Sequence, residues 1–210
     1  MSRRLAASVL VGAIMLLVGC AHGATNQDTT LVQEMRLVST EALFSEGVAH
    51  ALRGDHLRAE QYLSAAGKRG YHPESVATWL VRVCVSAGRY RAALDHGTEY
   101  LRTHPSDNWL RFVVANLYDA LGDPVAARSE LEAIVAAEPL HPLAHYRLGV
   151  LQRERLADAA GARVHFTEYL LLAPDGPHAA EARSILGSPE RSSIRGEPGP
   201  SKEPTRGNLP

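Results

Sequence analysis

The sequence is poor in the side chains from which strands, reaction centres and nucleic-acid surfaces are usually built. Aromatic residues make up 6% of its 210 residues, with two tryptophans and three phenylalanines. Alanine and leucine are prominent instead, and these are the best helix formers. Charge of one sign is also missing: the formal net charge is −1, and no block of like charges occurs. That argues against a nucleic-acid partner or a polybasic membrane patch. There is no Gly-rich phosphate loop, Gly-x-Ser-x-Gly elbow, Cys-x-x-Cys pair or His-Glu-x-x-His motif. No catalytic residue, cofactor or metal is therefore assigned, and the chain reads as a non-enzyme. Two cysteines, Cys20 and Cys84, leave room for one disulfide at most.

The one long apolar run lies at the start. Arg3 and Arg4 precede the uncharged stretch from Leu5 to Val18, which is too short for the ~20 residues that span a bilayer. A basic start and a short apolar run are the pattern of an export signal. The run closes on Leu17-Val18-Gly19-Cys20. These residues resemble the lipobox of bacterial lipoproteins. That resemblance implies a signal at 1–19 that is removed and a Cys20 that carries fatty acyl chains, palmitate among them. Several chains on one residue hold a protein to a membrane far better than one. An ordinary cleaved signal or a plain anchor with a chance cysteine is the alternative. Ala21 follows the cysteine in place of the aspartate that holds many such lipoproteins at the inner membrane. The expected address is thus the outer membrane, facing the periplasm. Residues 20–30 comprise the lipidated cysteine and a tether without large apolar side chains, reaching at most about 35 Å. With Cys20 committed to lipid, Cys84 is left single and reads as a small buried hydrophobe.

The middle of the chain repeats. Pro105 and Pro139 are 34 residues apart, and Gly54, Gly88 and Gly122 keep the same spacing. So do Ala59, Ala93 and Ala127, with Ala162 and Pro174 displaced by one. Three position classes sharing one period indicate a stacked repeat architecture. The small residues mark places where helices approach closely, the glycines mark turns, and the prolines stop helices.

This period, with these residues, resembles the tetratricopeptide (TPR) family, whose repeats are pairs of antiparallel helices. The resemblance implies an all-α solenoid of about four repeats plus a capping helix, spanning residues 31–187. The repeats are set at Thr40–Pro73, Glu74–Asp107, Asn108–His141 and Pro142–Gly176, the last with one extra residue near Leu156–Ala159. Gly47, Val81, Ala115 and Gly149 take the small eighth positions. Tyr71 stands where the first repeat should have its proline. Gly97 stands where a large residue is usual, and a mid-helix glycine costs about 1 kcal/mol relative to alanine. Local irregularity is expected at both. Residues 177–186 form a capping helix with Ala179, Ala180, Ala182, Ile185 and Leu186 inward. Leu31 to Val38 suggest a further helical segment in front. Residues 188–210, with five prolines and only Ile194 and Leu209 as large apolar groups, form a tail without a core.

By the same resemblance the first helices of the repeats line a concave groove for protein partners. The positions that would face it are Phe44 and Val48, then Thr78 and Arg82, then Trp109, Phe112, Asn116 and Asp119, then Tyr146, Val150 and Arg153. Aromatics and arginines are the usual anchors of such surfaces. The candidate partner-binding residues are Arg82, Trp109, Phe112, Asn116, Asp119, Tyr146 and Arg153. Phe112, Val48 and Val150 have core membership as their alternative. His141 and His145 have a spacing that could hold a metal, but they lack a third ligand and read as solvent-facing. Asp95 and His96 read as surface residues. The sequence thus points to a membrane-anchored adaptor that resembles the pilotin-like lipoproteins of type IV and Flp pilus assembly. A scaffold for cell-wall enzymes and a histidine-based metal-binding protein are the alternatives.

Overall fold

A computed structural model describes residues 38–187. The signal, Cys20, the tether, positions 31–37 and the tail at 188–210 lie outside the described residues. Every regular element among the described residues is an α-helix. They are α1 Thr40–Leu52, α2 His56–Lys68, α3 Pro73–Ser86, α4 Tyr90–Thr103, α5 Asn108–Ala120, α6 Pro124–Ala137, α7 Pro142–Glu154, α8 Ala159–Leu172 and α9 Ala179–Gly187. They fall two to a repeat, α9 being the cap. The chain divides into two compact units, one ending at Ile134 and one beginning at Val135. In the first, each of α1 to α4 packs on the helix that follows it, and α1 also meets α3. In the second, α8 packs on both α7 and α9.

Short polar side chains start five of these helices. Ser39 accepts from the Ala42 amide at 3.2 Å, Asp107 from Leu110 at 2.9 Å, and Asp123 from Ala126 at 3.0 Å. Each satisfies an amide that has no partner within its helix. Asp55 and Asp158 do the same for α2 and α8. Pro73 and Pro142 sit in the first turns of α3 and α7. There the missing N–H costs nothing.

The turns inside the first three repeats place Gly54, Gly88 and Gly122 at φ of 78°, 70° and 84°. These are left-handed conformations that glycine alone enters cheaply. The fourth repeat has no such glycine, and Ala157 takes φ 53° in its place. This strained residue lies within the stretch to which the sequence assigns the extra residue. At the far end of the repeats, His104 and Ala173 leave helical geometry directly before Pro105 and Pro174. Proline forces that change on its predecessor. The first repeat stops by another device. Gly70, at φ 84°, lets the Tyr71 amide donate back to the Ala66 carbonyl at 3.0 Å. Tyr71 is thereby free to stack on Phe44, with ring centroids 4.3 Å apart.

Packing follows the small-residue rule. Ala59, Ala93, Ala127 and Ala162 are each at most 1% exposed. A methyl on Gly47 would lie 2.7 Å from Leu63 Cγ, and one on Gly149 would lie 2.9 Å from the Phe166 ring. Each of these two helix pairs thus closes on a glycine with a large buried side chain pressed against it. Leu63 and Phe166 contribute on the order of 2 kcal/mol each through burial. The irregularity expected at Gly97 is absent, because α4 runs unbroken through it. Val114 of the next repeat fills the space from the other side, its Cγ2 standing 2.6 Å from where a Gly97 Cβ would be. In α9, Ala179 and Ala182 are buried and Ile185 and Leu186 pack beside them, whereas Ala180 faces solvent, contrary to expectation. The three-residue step from Ala179 to Ala182 defines the inner face, and Ala180 lies about 100° around the helix from Ala179.

Candidate functional site

The residues assigned to partner binding belong to both units, so each set is taken by itself. In the first unit α3, α4 and α5 share a core built on Val81, Leu94, Leu101 and Val114. Burying Val81 and Val114 turns the opposite faces of α3 and α5 outward. On α5, Trp109, Phe112, Asn116 and Asp119 recur at the three- and four-residue steps of one helix face. Trp109 is 59% exposed, an unusual setting for so large a ring. Phe112, Asn116 and Asp119 are half-buried beside it. The Asn116 amide donates to the Phe112 carbonyl one turn back, at 2.7 Å.

On α3, Arg82 is exposed, and its guanidinium lies 5.0 Å from the centre of the Trp79 ring. Sequence reasoning misses Trp79, although a helical i, i+3 pair of tryptophan and arginine is a legible cation–π signal. Phe44 and Val48 of α1 pack against the core of Leu63, Val76 and Leu80. They are partly internal, and Phe44 is held by its stack on Tyr71.

In the second unit Arg153 is exposed. Val150 packs against the core, in line with its alternative reading. Tyr146 departs from its assignment as a surface anchor. It is 7% exposed, its hydroxyl donates to Glu181 of α9 at 2.6 Å, and its ring stacks on His178 with centroids 3.9 Å apart. Burial, then the bond to Glu181, pushes its phenol up to about 12. Position five is the one that the resemblance assigns to the groove. Here it lies under the cap, so Tyr146 is a clasp for α9.

The histidine expectations also change. His141 caps α7, its Nδ1 accepting from the Ala144 amide at 3.1 Å. His145 is 6% exposed and not solvent-facing. Its Nε2 lies 2.9 Å from the Pro139 carbonyl and its Nδ1 3.1 Å from His165 Nδ1. With Nε2 donating to the carbonyl, one His145–His165 proton suffices for the contact between the two Nδ1 atoms. Burial, then the neighbouring His145, holds His165 below the usual histidine range. The two histidines at metal-binding spacing are thus employed separately.

A cluster that the sequence did not reveal lies between α2, α3 and α4. Glu60, Cys84 and His96 bring one carboxylate oxygen, Sγ and one ring nitrogen within 4.8 Å of one another. His96 Nε2 is 3.5 Å from Glu60 Oε1, and Arg89 donates to Glu60 Oε2. Burial works to raise the Glu60 pKa, but the bonds from Arg89 and His96 outweigh it and hold the carboxyl below its ordinary value. Cys84 is fully buried as expected, and burial pushes its thiol up. His96, read as a surface residue, is half-buried against this group.

Residues 85–151 match the tetratricopeptide repeat family. Among solved structures, the chain is similar to a tetratricopeptide repeat protein from Parabacteroides merdae ATCC 43184, at 25% identity and TM-score 0.64 over 70% of this chain. It spans 58% of that protein's length. It is also similar to YrrB, a TPR protein with an unusual peptide-binding site, at 18% identity and TM-score 0.60, covering 75% of this chain and 88% of that one. MamA from Desulfovibrio magneticus RS-1, residues 41 to its end, is similar at 23% identity and TM-score 0.57, covering 66% and 78%. No curated protein matches the chain. The helix pairs described above are therefore hairpins of the tetratricopeptide-repeat type, and residues 85–151 carry that family's own sequence pattern.

Proposed function

We propose that the chain is a lipid-anchored adaptor that captures protein segments at the periplasmic face of the outer membrane and catalyses no reaction of its own. The observation that carries the binding reading is the outward stripe of α5, where Trp109 stands 59% exposed above Phe112 and Asn116. A large ring kept in water beside polar groups is suited to become a central anchor once a partner excludes that water. Arg82, braced on Trp79, adds a cation for an acidic group of the partner. The similar YrrB fold, described with a peptide-binding site, is consistent with an extended or helical segment as the ligand. The anchor rests on Leu17 to Cys20, and the address on Ala21. Within this reading the partner belongs to pilus or secretin assembly, as the resemblance to pilotin-like lipoproteins implies. A cell-wall enzyme scaffold is the second choice.

Pull-down from native envelopes with Arg82→Glu/Trp109→Ala tests the surface. Both side chains are exposed, so the helical circular-dichroism spectrum should stay unchanged while the captured partner drops at least tenfold. Equal capture would mean that binding uses another face. Radiolabelled palmitate tests the anchor separately: Cys20→Ser should lose the label and leave the outer-membrane fraction, and unchanged fractionation would refute it.

A further inference from the structure

We propose that Glu60, Cys84 and His96 form a binding site for a divalent cation of the zinc class, tying α2 of the first repeat to both helices of the second. Three donors of different chemistry converge from three helices, with 36 residues separating Glu60 from His96. Zinc takes thiolate, imidazole and carboxylate at about 2.0–2.3 Å in a tetrahedral array, which sets neighbouring donors roughly 3.3–3.7 Å apart. The 3.5 Å between His96 Nε2 and Glu60 Oε1 falls on that edge length. The same distance is at the outer limit of a hydrogen bond. The spacing therefore fits two ligands of one ion as well as the long hydrogen bond that joins the two side chains here, with Sγ within 4.8 Å of both.

The donor set also selects the ion. A sulfur and a nitrogen favour zinc or cobalt over magnesium or calcium, which seek oxygen alone. Two negative ligands neutralise a divalent charge, and Arg89 keeps the outer oxygen of Glu60, so Oε1 is the one turned toward His96. This is the orienting role that a second layer of residues plays around a metal. Sγ forms the closed floor of the site, since Cys84 is 0% exposed. The side chains of Glu60 and His96 keep 22% and 30% exposure and form an entrance, leaving the fourth coordination position to water. A thiol gives up its proton on binding such an ion, so occupancy of the site releases a proton.

The test titrates Co(II) alone into the full chain in detergent, on a Cys20→Ser background so that Cys84 is the single thiol, and then displaces it with Zn(II). One equivalent should produce a thiolate-to-cobalt charge-transfer band that Zn(II) removes. Zn(II) should raise the melting temperature by mass action. His96→Gln should weaken binding at least tenfold, and the further change Cys84→Ser should abolish the band. The wild-type-site spectrum decides the matter even if a variant folds poorly. Absence of the band at stoichiometric cobalt, or zinc affinity unchanged on replacing Cys84, would overturn the proposal and leave an Arg89–Glu60–His96 ion-pair network.

Discussion

Ala157 holds a conformation that the other three repeats give to glycine, and exchanging the two residue types tests what the turn requires. At φ 53° a side chain with a Cβ costs about 1–2 kcal/mol. Ala157→Gly removes that strain, while the added freedom of glycine in the unfolded chain returns about 0.4–1 kcal/mol of the gain. The expected net effect is a stabilisation of roughly 0.5–1 kcal/mol. The reciprocal change is Gly122→Ala. Gly122 sits at φ 84° with nothing within 4 Å of where a Cβ would stand, so its cost is purely conformational. It should lose a similar roughly 0.5–1 kcal/mol. For a chain of this size these changes shift the melting temperature by roughly 1–4 °C in opposite directions. Repeat arrays depart from two-state unfolding. Amide exchange, at α7 and α8 for Ala157→Gly and at α5 and α6 for Gly122→Ala, should therefore accompany the melting curve, since protection there reads each altered turn directly. Ala157→Gly that lowers both melting temperature and protection would refute the reasoning, and so would Gly122→Ala that raises them.

Two further outcomes follow from the packing. Tyr146→Phe should cost about 1–2 kcal/mol and show as faster amide exchange confined to α9, because the part-buried bond to the Glu181 carboxylate loses its donor. Since the folded Tyr146 titrates near 12, above its unfolded value, its contribution is intact below about pH 10. That contribution fades as pH climbs toward 12, and an alkaline melting series on wild type and Tyr146→Phe should converge there. Gly97→Ala should destabilise by about 1–3 kcal/mol despite the better helix former, because its methyl meets the stiff, fully buried Val114. Adding Val114→Ala should recover part of that loss in a double-mutant cycle; strict additivity would show that the two sites do not touch.

The hairpins were legible because their rule is local. A glycine between the paired helices, a small residue at the crossing and a proline after the second helix each act within a turn, and they recur in phase. Even the extra residue of the fourth repeat could be placed, since Ala162 and Pro174 slip together while the glycine is lost. What failed was whatever depends on a neighbour distant in sequence. Tyr146 occupies a groove position by count, but Glu181 and His178 claim it from the capping helix and the segment before it. His145 lies at a helix entry, yet His165 comes from the next helix to bury it. Glu60, Cys84 and His96 sit on three helices with no recurring interval between them, so no motif could announce their meeting. Val114 compensates for Gly97 across repeats, and a single repeat therefore looks defective where the stack is sound.

The clasp between Tyr146 and Glu181 has a consequence for growth. Parts that stack on their own likeness go on adding copies unless the last surface differs from the rest. Here the closing piece is fastened by a phenol and a carboxylate, and its outer side presents Ala180, Arg183 and Ser184 to water. Among the described residues, a second molecule arriving at that face of α9 meets these small and polar side chains first. To stack on α8 directly it would first have to pry off a lid held by a specific polar bond, so that contact is guarded by chemistry.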